Sequence, residues 1–215
     1  GTLGATPSTG GQNKYKINSG YATSLYLGQP VQYDTAGGAN TDPGYVISGQ
    51  DAITRPTVGV FNGCFYTDAN TNKPTFSSFF PRTTAPANAE DIDAFIIDNP
   101  FQQYNVQLST RLAATAILAQ AQMGKTLGLT VSALGAGSAT SGSTISGQSN
   151  SQLTVGGSTG VANQWRLLRS AEDPENEDLI TLPQSNPALA AFSGLATVVV
   201  VANQSQWFGT GQVSA

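Results

Sequence analysis

Carboxylates are the first candidates for chemistry in this chain, and they fall into two clusters. Glu90, Asp91 and Asp93 lead into an apolar stretch, and Glu172, Asp173, Glu175, Glu177 and Asp178 surround Pro174. A glycosidase sets two carboxylates about 5–10 Å apart across a cleft, and a calcium loop spaces its acidic oxygens alternately with a glycine at the sixth place. Neither cluster has the calcium spacing, and acidic groups around turns read as solvated surface. Asp34-Thr35 lacks the glycine that an aspartic-protease loop would carry next. Lys125 is a further candidate, because Ala119 to Thr126 fits a relaxed phosphate-loop pattern. That mechanism needs a strand before the loop and a helix after it, so that amides and the helix N-terminus face the phosphates. Here a helical pattern precedes and a strand pattern follows. Gly124-Lys125 therefore reads as a helix end with a cation near the negative end of the dipole.

Histidine is absent from the chain, which excludes His-based acid–base catalysis, serine triads and His metal sites. Cys64 is the single cysteine. It has no intramolecular disulfide partner, and between Gly63 and Phe65 it reads as a small core residue. The expectation is a protein that is not an enzyme, with no catalytic residue, no cofactor and no metal ligand. Aromatic side chains in turn-rich contexts are better contact candidates than those inside strands. Phe79 and Phe80 precede Pro81, and Trp207 and Phe208 precede Gly209. Together with Leu3 and Pro7 of the N-terminal segment, these are the candidate interface residues.

Charged residues make up 10% of the 215 residues, against about 25% in ordinary soluble proteins. Small polar residues fill the gap, with 24 Gly, 24 Thr and 20 Ser. A net charge of −4 and a sequence pI near 4.6 argue against nucleic acid as a partner, since that needs a basic surface to release counterions. The longest apolar candidate, Leu195 to Ala202, is far short of the roughly 20 residues of a membrane-spanning helix, so no membrane partner is expected. No signal-peptide pattern is visible at the start.

The elements that must position these residues read as strands. Residues 1–14 are mostly Gly, Thr, Ser, Pro, Gln and Asn, and are expected to form an extended arm ordered only by a neighbour. One β domain is expected over 15–215. Short apolar stretches bounded by Gly, Pro and Asx turns predict strands over 21–27, 31–33, 45–48, 57–66, 93–98, 104–108, 127–133, 151–155, 164–169 and 196–202. In the fourth of these, strict alternation puts Val58, Val60 and Cys64 on one face and Phe61 and Phe65 on the other. The β-branched run Val198 to Val201 suits a strand buried on both faces. Ser109 as N-cap, Arg111 to Met123 and Gly124 as the stop predict one short helix. Residues 135–147, nearly all Gly, Ser, Ala and Thr, predict a long exposed loop. No repeat with a period of 20–50 residues is present. The fold class expected is mainly β.

Three stretches carry a likeness to a known family. They are Val58 to Asp68, then Lys73 to Ser77 running on to Phe80-Pro81, then Ala94 to Pro100 with Tyr104-Asn105-Val106-Gln107. Trp165 to Arg169, the Asp173 to Asn176 turn and Thr197 to Asn203 add weaker pieces. The sequence resembles capsid decoration (cement) proteins of tailed double-stranded-DNA bacteriophages. The acidic run after Asn176 and the length of the tail after Trp207 depart from that family's pattern. The resemblance implies a barrel-like or jelly-roll-like β domain on the outer surface of the virion capsid. Its partners would be the major capsid protein and other copies of itself, as a homodimer or homotrimer on the lattice. It implies a structural protein that clamps neighbouring capsid subunits and no catalytic residues. The alternative expectation is a β-rich host-attachment or glycan-binding module.

Overall fold

The structure, a computed structural model, describes residues 2–3, 11–34, 44–49, 57–81, 92–108, 123–131, 142–154, 164–171 and 197–203. By internal contacts the chain divides into two compact units. One comprises residues 1–7, 100–132 and 151–215, and the other residues 8–99 and 133–150. Among the described residues every regular element is a strand, so the chain is mainly β.

The second unit holds β2 (Asn13–Ile17), β3 (Pro30–Tyr33), β4 (Val46–Ser48), β5 (Gly59–Thr67), β6 (Pro74–Ser77) and β7 (Ile92–Ile97). Its strands pair antiparallel in the order β2-β7-β5-β3-β4, and β6 pairs the far half of β5. Strand β7 shows why the sheet has two different faces. Ile92, Ala94 and Ile96 are buried, while Asp93, Phe95 and Ile97 on the opposite face are not, as the two-residue period of a strand requires. The inward set packs with Tyr15, Ile17, Val31, Val46, Phe61 and Cys64 into one apolar core.

Asp98, buried at the end of β7, is tied down by two side chains of β2. Asn13 Nδ2 donates to both Asp98 carboxylate oxygens at 3.0 and 2.8 Å, and the Tyr15 hydroxyl donates to Asp98 at 2.8 Å. This pins β2 to the end of β7. Burial, and then the adjacent Asp98 carboxylate, push the Tyr15 phenol well above its ordinary value. At the two ends of the strand order, Lys16 and Tyr45 form one parallel bridge, with Lys16 N donating to Gly44 O at 2.8 Å. A single bridge is not a ladder, and the sheet stays open there.

The first unit holds β1 (Thr2–Leu3), β8 (Gln103–Gln107), β9 (Thr126–Val131), β10 (Ser151–Thr154), β11 (Trp165–Ser170) and β12 (Thr197–Ala202). These also pair antiparallel, in the order β1-β8-β12-β11-β9-β10. Val198, Val199 and Val200 are all fully buried, as a β-branched run covered on both faces should be. The Tyr104 and Trp165 rings meet edge to face, 5.6 Å apart at 88°.

Most expected strands are present within a residue or two of their ends. The stretch 21–27 is not a strand: Leu25 makes an isolated bridge to Phe80 and Leu27 one to Gln148. The chain turns there instead, because the Gln29 side chain accepts from Tyr26 N at 3.0 Å and occupies an amide a ladder would need. Three strands are additional to the expectation, β1, β2 and β6. Strand β2 begins inside the polar N-terminal segment, and β6 is only four residues long. The N-terminal segment also supplies β1, paired through Thr2 with Tyr104 and through Leu3 with Gln103. The helix expected over 111–123 lies outside the described residues up to Gln122.

Candidate functional site

The outward face of β2, β7, β5 and β6 carries the groups most suited to meeting a partner. Register sets them in two rows. Lys16 lies opposite Asp93, Asp93 opposite Phe65, and Phe65 opposite Phe76. In the next row Lys14 lies opposite Phe95 and Phe95 opposite Gly63. Phe65 is 41% exposed and Phe76 is 65% exposed. The Phe76 and Phe95 rings are 5.7 Å apart and tilted by 39°, a geometry worth about 1 kcal/mol beyond area burial.

Gly63 makes this cluster possible. A Cβ there would stand 3.1 Å from the tip of the Phe76 ring and 3.0 Å from Ser77 O. Its φ of +135° is also one that side-chain-bearing residues avoid. The glycine lets the Phe76 ring lie across β5 and reach Phe95. It follows directly on a β-bulge, since the register of β5 on β7 shifts between Phe61 and Gly63.

The charged end of the face is a three-way ion pair. Lys14 Nζ and Lys16 Nζ stand 2.7 and 2.6 Å from the two oxygens of Asp93. Partial burial alone would raise the Asp93 acid. Hydrogen bonds and charge from Lys14 and Lys16 outweigh it and hold the group below the usual carboxylate range. At the other end, the turn between β5 and β6 is organised by Asp68. Its Oδ1 accepts from Thr71 N, Asn70 N and the Thr71 hydroxyl at 2.8, 2.9 and 3.1 Å. The Thr71 amide is the largest of the influences that lower the Asp68 acid. A fixed turn presents β6, and with it Phe76, in one position.

The candidate interface residues from the sequence are distributed differently. Phe80 is a core residue, 1% exposed, and exchanges backbone hydrogen bonds with Leu25, so it offers no surface in this chain. Phe79 is half-buried and stacks on Tyr26 with centroids 5.9 Å apart and planes 7° apart. Leu3 is placed by its backbone in β1. Pro7, Trp207 and Phe208 lie outside the described residues. The face itself, with Phe65, Phe76 and Phe95, is not among the residues the sequence singles out. Its available signal was Phe76 inside a Pro-Thr-Phe-Ser stretch, which is too short to read as a strand.

A second exposed apolar group sits in the expected loop. Ser143 Oγ accepts from Ile145 N and Ser146 N at 3.3 Å, and Gly147 N donates to Ser143 O at 2.8 Å. This tight turn holds Ile145 at its tip, 98% exposed. The charged residues of the sheet face are paired with one another, and the Cys64 thiol is buried, its acid value pushed up to about 12 by burial. Such a face can bind by apolar contact and shape. Among the described residues no group of three or more His, Cys, Asp or Glu is placed to hold a metal ion, and no helix is long and apolar enough to cross a membrane. No protein-family model, curated protein or solved structure matches the chain.

Proposed function

We propose that the chain is a virion structural protein that binds the outer surface of a bacteriophage capsid and clamps neighbouring major capsid subunits. The observation that carries this reading is the aromatic face of Phe65, Phe76 and Phe95. Large aromatic side chains left at a surface mark contact sites, and such residues dominate the energy of protein interfaces. The low charge of the chain suits close packing against a shell, and contacts repeated across a lattice need little energy each. The likeness of Val58 to Asp68 and Lys73 to Ser77 to cement proteins falls on β5 and β6, the strands that carry Phe65 and Phe76. The barrel-like architecture belongs to the same proposal: in each unit one isolated parallel bridge, Lys16–Tyr45 or Leu108–Leu153, brings non-neighbouring strands of the sheet towards one another.

A ligand that binds only the mature lattice stabilises that lattice by linkage. Capsids saturated with the chain should therefore retain DNA to a higher temperature than bare capsids. Equal temperatures of DNA release, at shown saturation, would contradict the clamping role.

A further inference from the structure

We infer that the two units are two copies of one five-stranded module joined in a single chain. In chain order, the strands β2, β3, β4, β5 and β7 correspond to β8, β9, β10, β11 and β12. Both sets have the spatial order first-fifth-fourth-second-third, with every neighbouring pair antiparallel. In both, a single parallel bridge links the first and third strands or a residue directly flanking them: Lys16 of the first strand to Tyr45 just before β4, and Leu108 just after β8 to Leu153 of the third strand.

The correspondence extends to individual residues. Val60 pairs with Pro30 on one side and Ile97 on the other, as Arg166 pairs with Thr126 and Val201. Phe61 lies opposite Ile96, as Leu167 lies opposite Val200, and all four point inward or are buried. Immediately beyond, both fourth strands skip one residue, at Asn62 and at Leu168, before pairing resumes at Gly63–Phe95 and Arg169–Val199. The turn into the second strand is also the same. Gly28, at φ +84°, donates to Phe61 O at 2.9 Å, and Gly124, at φ +79°, donates to Leu167 O at 2.8 Å. Phe61 N and Leu167 N each donate back, to Gln29 O and Lys125 O, both at 2.9 Å.

Two unrelated sheets can share an order of strands. A shared bulge, a shared positive-φ glycine and the same pair of reciprocal hydrogen bonds are specific devices that fix register. Side chains have diverged around them: identity survives at Gly28 and Gly124, where the backbone demands glycine, and at Asn99 and Asn203. Divergence also locates the contact face. The positions of Lys14, Lys16, Asp93 and Phe95 are occupied in the other copy by Asn105, Gln107, Thr197 and Val199, so the charged and aromatic surface belongs to one copy.

The duplication stands apart from the capsid reading and is tested without a capsid. On the whole chain, amide exchange would be followed by NMR, and melting temperatures measured for Gly28→Ala, Gly124→Ala, Gly28→Asn and Gly124→Asn. At positive φ alanine is strained and asparagine less so. Both Ala variants should melt several degrees lower, each Asn variant should lose less, and the Phe61 and Leu167 amides should both be strongly protected. A neutral or stabilising Gly124→Ala beside a destabilising Gly28→Ala would overturn the equivalence. So would an unprotected Leu167 amide beside a protected Phe61. If a variant fails to fold, the exchange pattern of the unsubstituted chain decides.

Discussion

Phe61 and Cys64 stand three residues apart on β5, yet both are fully buried on the same side of the sheet. The bulge at Asn62 absorbs one residue, so Phe61 lies opposite Ile96 and Cys64 opposite Ala94. Strict alternation groups Phe61 with Phe65 instead. The two phenylalanines should therefore respond very differently to truncation. Phe61→Ala should cost about 3–5 kcal/mol, as for a buried aromatic, and Phe65→Ala under about 1 kcal/mol. Urea unfolding measures both, and equal losses would place the two rings on one face.

Gly63→Ala is expected to destabilise by about 1–3 kcal/mol, since it adds a strained φ and a contact with Phe76 and Ser77 O. The ring of Phe76 would have to leave β5. Loss of its ring-current effect on Phe95 in NMR spectra should accompany the drop in stability, and an unmoved Phe76 would contradict the packing described.

Asp93 links stability to acid. Its acid value is held below the unfolded one by Lys14 and Lys16 against the opposing effect of burial. The stabilisation is present above the ordinary carboxylate value of about 4 and is lost as pH falls through the lowered folded value. Lys14 is mostly exposed and Lys16 is half-exposed, so solvent screening should hold the contribution under about 1 kcal/mol. Asp93→Asn should flatten that part of the acid limb and lower stability by the same small amount at neutral pH, as read by urea unfolding across pH.

Cys64 acts at the other extreme. Burial pushes its thiol up to about 12, while an unfolded thiol ionises near pH 8.5. The neutral thiol is favoured by folding, so its contribution is complete below the unfolded value. It fades as pH rises towards the folded one, by at most about 1.4 kcal/mol per pH unit. Tyr15 adds to this loss at higher pH, because its phenol is also raised. Cys64→Ala should soften the alkaline decline, and a thiol reagent should label the native chain far more slowly than the chain in urea.

Strands were legible wherever apolar residues alternate between turn residues, as in Ile92 to Ile97 and Thr197 to Ala202. Strand β6 was not, because Pro74 to Ser77 has one large apolar side chain and that one points outward. The facing of Phe65 was hidden by the bulge, a feature of backbone pairing that alternation cannot reveal. Phe80 beside a proline resembled a surface aromatic, but its backbone bridge to Leu25 turns its ring into the core. The duplication was invisible for a related reason. What the two copies share is hydrogen bonding and register, and nearly every side chain around those bonds differs.

The most direct test of the proposed role is co-sedimentation of the purified chain with undecorated mature capsids, beside a Phe65→Ser/Phe76→Ser variant shown to be folded. The unsubstituted chain should saturate at a fixed ratio to the major capsid protein, and the variant should bind at least about tenfold more weakly, the loss typical of a central aromatic contact. Equal binding by both would remove the aromatic face from the contact. No binding by the unsubstituted chain, with binding to isolated glycans or host cells instead, would contradict decoration and identify an attachment module.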